Sequence, residues 1–165
     1  MAFTGRRVVT GHTAEGRSMV IFDSVLPLLG GADESGNENR HGSTSRVMWT
    51  TAEMPADNNG SSDRATQDVP TAVEWGSLLR IVQYEPGVTP RPHRTASIDF
   101  VVVLSGSIDC ELDEETVSLH EGDVMIQRGT IHNWINNTTE PCVMFFAMTG
   151  SRPIEAGDTT LWPTG

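Results

Sequence analysis

Cysteine is scarce in this chain: two in 165 residues, Cys110 and Cys142, too few for a disulfide framework. Both sit in apolar, strand-like stretches, where a reduced and buried thiol is the expected state. Long apolar runs are missing as well. No segment approaches the roughly 20 residues that a helix needs to cross a bilayer, and the first twenty residues carry Arg6, Arg7 and Arg17 without the apolar centre of a secretory signal. These absences predict a soluble, cytoplasmic protein with no membrane partner. Basic residues are outnumbered, 11 against 22 acidic ones, for a net charge of -11. Nucleic acid binding needs a basic patch and none is visible, so no nucleic acid partner is expected. No internal repeat or helical heptad is evident either.

What the chain does have is glycine and proline, 16 and 9 of them, set between short β-branched and aromatic runs. That pattern reads as an all-β protein, and the length suits one domain with a real core. Residues 7–10 and 18–22 read as short strands about a turn, and 46–51 regain strand character around Trp49. Residues 30–45 and 55–68 are small and polar and read as long loops; loops of that length suit a lid or a dimer contact. From residue 71 onward the strand signals crowd together. Residues 77–84 end at Glu85-Pro86-Gly87, and 98–104 form a nearly all-apolar strand. Ile108, Cys110 and Leu112 alternate with Asp109, Glu111 and Asp113 and return through Val117 and Leu119, the mark of a half-buried hairpin. Residues 124–127, 131–135 and 143–148 complete the set. The expected organisation is N-terminal strands and polar loops at 1–70, packed on a barrel at 71–150, with a tail at 151–165.

Two segments carry the chemistry: GVTPRPHRTASIDFVVVLSG at 87–106 and EGDVMIQRGTIHNW at 121–134. Together they resemble the two motifs of the cupin superfamily. The resemblance implies a double-stranded β-helix, a jelly-roll barrel, with an N-terminal β extension, and it covers about residues 75–150. Cupin metal sites combine two histidines one residue apart, a glutamate, and a third histidine from the second motif; the matching positions here are His93, Thr95, Asp99 and His132. One imidazole is replaced by a hydroxyl, and the carboxylate arm is one methylene shorter. His93, Asp99 and His132 would form a two-histidine, one-carboxylate set suited to a divalent metal, Fe, Zn, Ni or Mn. No organic cofactor is expected.

Proline on both sides of Arg91 stiffens the approach to His93, and the period of two puts Thr95 on the face of His93. Arg128-Gly129-Thr130 delivers His132, and Trp134 shares its face as pocket wall or core. Arg80 interrupts an apolar strand. With Arg94 it is a candidate anchor for an acidic or phenolic substrate, although an outward arginine paired with an acid is the commoner role. Thr95, Tyr84, Gln127 and Asn136 are further pocket candidates, whereas His12, His41 and His120 sit in turns or loops and read as exposed. Without a metal, His93 and His132 suffice as an acid-base pair.

The resemblance also points to small single-domain cupins that accompany small-molecule and polyketide-type metabolism. Three functions follow. The first is a non-redox lyase or isomerase that dehydrates, decarboxylates or cyclises an oxygenated aromatic or polyketide-like molecule. The second is an iron-dependent dioxygenase, and the third a non-catalytic ligand-binding module, because the fold alone does not select a reaction. A homodimer is the expected assembly.

Overall fold

The computed structural model describes residues 3–28, 42–66 and 72–165. Most of the predicted loop at 30–45 and His41 lie outside the described residues. The described elements are β1 (Thr4–His12), β2 (Ser18–Pro27), β3 (Ser43–Thr50), a 3-10 turn (Arg64–Thr66), β4 (Ser77–Tyr84) and β5 (Ser97–Ser105). They continue through β6 (Ser107–Glu111), β7 (Thr116–His120), β8 (Val124–Arg128), β9 (Asn133–Ile135), β10 (Cys142–Gly150), β11 (Ile154–Ala156) and β12 (Thr159–Leu161). The all-β expectation holds.

A five-stranded antiparallel sheet, ordered β3-β4-β10-β5-β8, is joined through a shared core by a three-stranded sheet, β7-β6-β9. Strand alternation explains the packing. Cys142, Met144, Phe146 and Met148 of β10 face the shared core with Leu78 and Val82 of β4 and Val101 and Val103 of β5. Ile108, Cys110, Leu119 and Trp134 close it from the smaller sheet. Each fully buried aliphatic side chain contributes about 2 kcal/mol. Both cysteines are buried and free, as expected, and burial pushes their thiols up to about 11. The turn from β5 to β6 needs Gly106, whose φ is 79°; a Cβ there would lie 2.7 Å from the Pro141 carbonyl oxygen.

The other face of β10 and β4 is covered by the β1-β2 hairpin, which forms its own sheet. Leu28, Met48, Ile81 and Val143 make a second core there, with Phe3, Leu26, Leu79 and Phe145 packed against it. Arg7 pins the hairpin through two bonds to Asp63, at 2.7 and 2.6 Å, and a third to the Met48 carbonyl at 3.2 Å. The predicted loop at 55–68 therefore supplies a structural anchor.

Two boundaries differ from the sequence reading. β3, assigned to the N-terminal segment, is an edge strand of the main sheet, with Ser43 opposite Tyr84 and Thr50 opposite Leu78. Residues 151–165 fold back as the β11-β12 hairpin, after which Thr164 exchanges backbone bonds of 2.8 and 3.0 Å with Arg94.

Candidate functional site

His93 and His132 stand opposite each other across an isolated antiparallel bridge. Their backbones exchange both bonds, at 2.9 and 3.0 Å, the pairing that sets two side chains side by side. The imidazole centroids are 4.2 Å apart. Each Nδ1 lies against a backbone carbonyl two residues earlier, His93 on Arg91 at 2.8 Å and His132 on Thr130 at 3.0 Å. A carbonyl only accepts, so in the neutral ring Nδ1 carries the proton and Nε2 keeps the lone pair.

Electrostatics keep both rings neutral. Burial drives the His132 pKa down to about 4, against the pull of its Thr130 contact, and the neighbouring His93 and Arg91 lower it further. Burial also lowers His93, partly opposed by the hydrogen bond to Arg91 and reinforced by the charge of Arg91.

The pair lines a cavity of about 190 Å³ inside the barrel, with Arg80, Tyr84, Arg91, Asp99, Trp134 and Phe146 among its walls. Arg80 is therefore inward, not the outward arginine that the commoner role implied. β4 alternates Leu78, Arg80, Val82 and Tyr84 onto the inner face, and the sheet's other face is already occupied by the hairpin. Burial lowers the pKa of Arg80 and raises that of Tyr84, but a guanidinium remains charged at any working pH. Asp99 is 3% exposed and accepts from the Ser97 hydroxyl at 2.5 Å. Burial raises its pKa, while the Ser97 bond and the charge of Arg80 counteract. Trp134 is both wall and core, edge-on to His132 and to Phe146 at 5.7 and 5.9 Å.

The other candidates divide. Thr95 and Arg94 line a neighbouring pocket that shares His93 and Arg91 with the inner one. The Thr95 hydroxyl also lies 2.8 Å from the Ser97 hydroxyl oxygen. Gln127, opposite Asp99 on β8, is 2% exposed, and its amide finds no hydrogen-bond partner among the described residues. Asn136 is structural: its amide nitrogen donates to the Tyr84 and Glu140 carbonyls, and its oxygen accepts from Thr138. His12 and His120 are exposed.

Arg91, Asn133, Ser43 and Ser45 also line the cavity and were absent from the sequence candidates. Arg91 shares strand parity with His93, a usable signal. Asn133 accepts from the Arg91 amide at 2.8 Å and donates to Glu111 at 3.0 Å, holding the cavity rim to the smaller sheet. Ser43 and Ser45 enter only through the long-range pairing of β3.

The ligand set expected from His93, Asp99 and His132 is not assembled. Among the described residues no three histidine, cysteine, aspartate or glutamate side chains are grouped to hold one ion. The hydroxyl of Thr95, where the motif has an imidazole, supplies no strong donor. The residues as placed do not fit a three-ligand metal centre. They do form a pair of neutral bases beside two cations, Arg80 and Arg91, an arrangement suited to taking a proton from an acidic substrate and stabilising the anion.

Residues 80–148 match the family model described as Cupin domain. The chain is 37% identical to the phomopsin biosynthesis cluster protein C' of Diaporthe leptostromiformis, over 92% of this chain and 82% of that protein. It is 31% identical to a cupin-domain-containing oxidoreductase of Aspergillus ruber, over 86% and 70% respectively. A solved cupin-2 domain from Rhodospirillum rubrum is similar at a TM-score of 0.49 and 16% identity, over 83% of this chain and 74% of that one.

Proposed function

The chain belongs to the cupin-domain family, and from that premise we propose that it is a small-molecule enzyme of secondary metabolism that begins by removing an acidic proton from its substrate. The substrate class is an oxygenated aromatic or polyketide-like compound. The observation that carries the reading is the paired tautomer: both Nδ1 protons are committed to carbonyls, which leaves two Nε2 lone pairs on rings that line one small cavity. One imidazole takes the proton. The other, 4.2 Å away, stays neutral because a second charge at that distance in a buried site is opposed by repulsion. His132 is a weak base, so the substrate proton must be acidic, and Arg80 makes it so by stabilising the developing phenolate or enolate.

The names of relatives favour an oxidative outcome, since the Aspergillus ruber protein is called an oxidoreductase. In that outcome an activated methylene loses its proton to Nε2, and the carbanion passes electrons to dioxygen and forms a carbon–oxygen bond. The hydroperoxide takes the proton back and loses water to leave a carbonyl. Methylene and dioxygen have then become carbonyl and water. In the lyase or isomerase outcome the same carbanion is reprotonated at another carbon or expels a leaving group. The second reading rests on the geometry, which provides acid-base groups for both steps.

Oxygen uptake and product mass, followed on a panel of hydroxylated aromatic ketones with an activated methylene, separate the two. Uptake of one dioxygen per turnover supports the oxidative reading. Product of unchanged oxidation state without uptake supports the lyase or isomerase. Absence of turnover on every compound, with binding retained in His132→Ala, contradicts both and leaves a binding module.

A further inference from the structure

The inner cavity holds about 190 Å³, whereas pockets that enclose a whole metabolite or drug-sized ligand run to about 300–1,000 Å³. A multi-ring substrate cannot be housed there alone. Beside it lies a second pocket of about 630 Å³, and Arg91 and His93 form a wall common to both. We propose that this outer pocket is a binding site for the distal part of the substrate, and that it recognises a planar aromatic group bearing an acidic substituent. The inference extends the small-molecule reading of the inner cavity, but its test requires no turnover.

Three features of the outer pocket support this chemistry. Trp162 lines it while 65% exposed, an indole face left open beside Pro153 and Pro163. Aromatic stacking on such a face buries a large area at low entropic cost. Arg94 lines the same pocket, and its guanidinium is a permanent cation suited to pairing with an anionic oxygen. Arg91 adds a second cation at the junction, and one of its nitrogens makes only a 3.3 Å contact, to the Gly165 carbonyl. Glu74 is the single acidic side chain among the described lining residues. Among the described lining residues two arginine side chains stand against one glutamate, in a chain of net charge -11, an arrangement that suits a monoanion.

The wall itself comes from the folded-back segment after β12. Thr164 pairs with Arg94, and Gly165 packs so closely on His93 that a Cβ there would meet the His93 Cβ at 2.7 Å. The segment carrying Trp162 is thus fixed to the backbone that carries His93, which would hold the distal ring at a set distance from the imidazole pair.

The test uses the full chain and two probes, 2-naphthoate and its neutral amide, with affinity read by calorimetry and location by amide shifts in nitrogen-15 NMR spectra. Wild type should bind 2-naphthoate at least tenfold more tightly than the amide, with shifts concentrated in residues 91–96 and 151–165. Trp162→Ala and Arg94→Gln should each weaken 2-naphthoate by about tenfold, with spectra that otherwise match wild type. His132→Ala should bind it normally, which keeps this test independent of catalysis. No binding, equal affinity for the two probes, or binding lost in His132→Ala but unchanged in Trp162→Ala and Arg94→Gln would overturn the proposal.

Discussion

Acidification from pH 7.5 to 4.5 will destabilise this protein through His132. In the folded state its pKa is about 4, against an ordinary value of 6.5. Between those values the unfolded chain binds a proton that the folded chain refuses, so stability is complete above 6.5 and falls as the pH drops toward 4. At about 1.4 kcal/mol per unit, the full loss is about 3 kcal/mol, and most of it has occurred by pH 4.5. His93, also lowered by burial, adds in the same direction. Asp99, raised by burial, works in the opposite sense at the acid end. Carboxylates held low by hydrogen bonds, such as Asp63 and Asp23, lose their contribution below this window. Urea unfolding of wild type and His132→Gln at both pH values isolates the effect: the pH-dependent loss should shrink by about 2–3 kcal/mol in the variant. An imidazole NMR titration gives the pKa directly. A His132 resonance that titrates near 6.5, or a variant with the same pH dependence as wild type, would refute the reasoning.

Replacing Arg7 with alanine leaves Asp63 without its two charge-assisted bonds. Because Asp63 is about a quarter exposed, the expected cost is about 2 kcal/mol by chemical denaturation, with earlier hydrogen exchange in β1 and β2. Met144→Ala removes a fully buried side chain between the sheets and should cost about 3 kcal/mol; a loss below 1 kcal/mol would mean that the two sheets are not closed over a shared core. Gly106→Ala forces a positive φ and a clash with the Pro141 carbonyl, so a loss of about 2 kcal/mol or more is expected in thermal melts. Gln127→Met should raise stability by about 1 kcal/mol, since it removes a buried amide that has no hydrogen-bond partner among the described residues.

The strands were legible where turn residues or plain alternation mark their limits. Residues 77–84 emerge with the predicted bounds because eight residues of strand character end at a Pro-Gly turn, and the hairpin at Ile108 to Leu119 follows from plain alternation. The histidine pair was legible for the same reason, as each follows a stiff or turn-defining stretch. Partnerships across long sequence separations were not. Whether Arg80 points inward depends on the β1-β2 hairpin covering the opposite face of β4, and nothing local to residues 77–84 encodes that cover. Membership of β3 in the main sheet, and with it Ser43 and Ser45 in the cavity, depends on long-range pairing, from Thr50 with Leu78 to Ser43 with Tyr84. The fold-back of residues 151–165 was missed because its strands are three residues each, too short for periodicity to register. Thr95 shares strand parity with His93, yet the irregular approach to β5 turns it into the outer pocket.

The central claim is that two neutral imidazoles remove a proton from a substrate held in the inner cavity. Its most direct test is deuterium exchange, in heavy water without oxygen, at the activated methylene of a hydroxylated aromatic ketone, followed by proton NMR for wild type, His93→Ala and His132→Ala. The account predicts catalysed exchange in wild type that falls at least a hundredfold in one variant and measurably in the other. Exchange at the same rate in all three proteins, or none above the buffer rate in wild type across the compounds that bind, would contradict it.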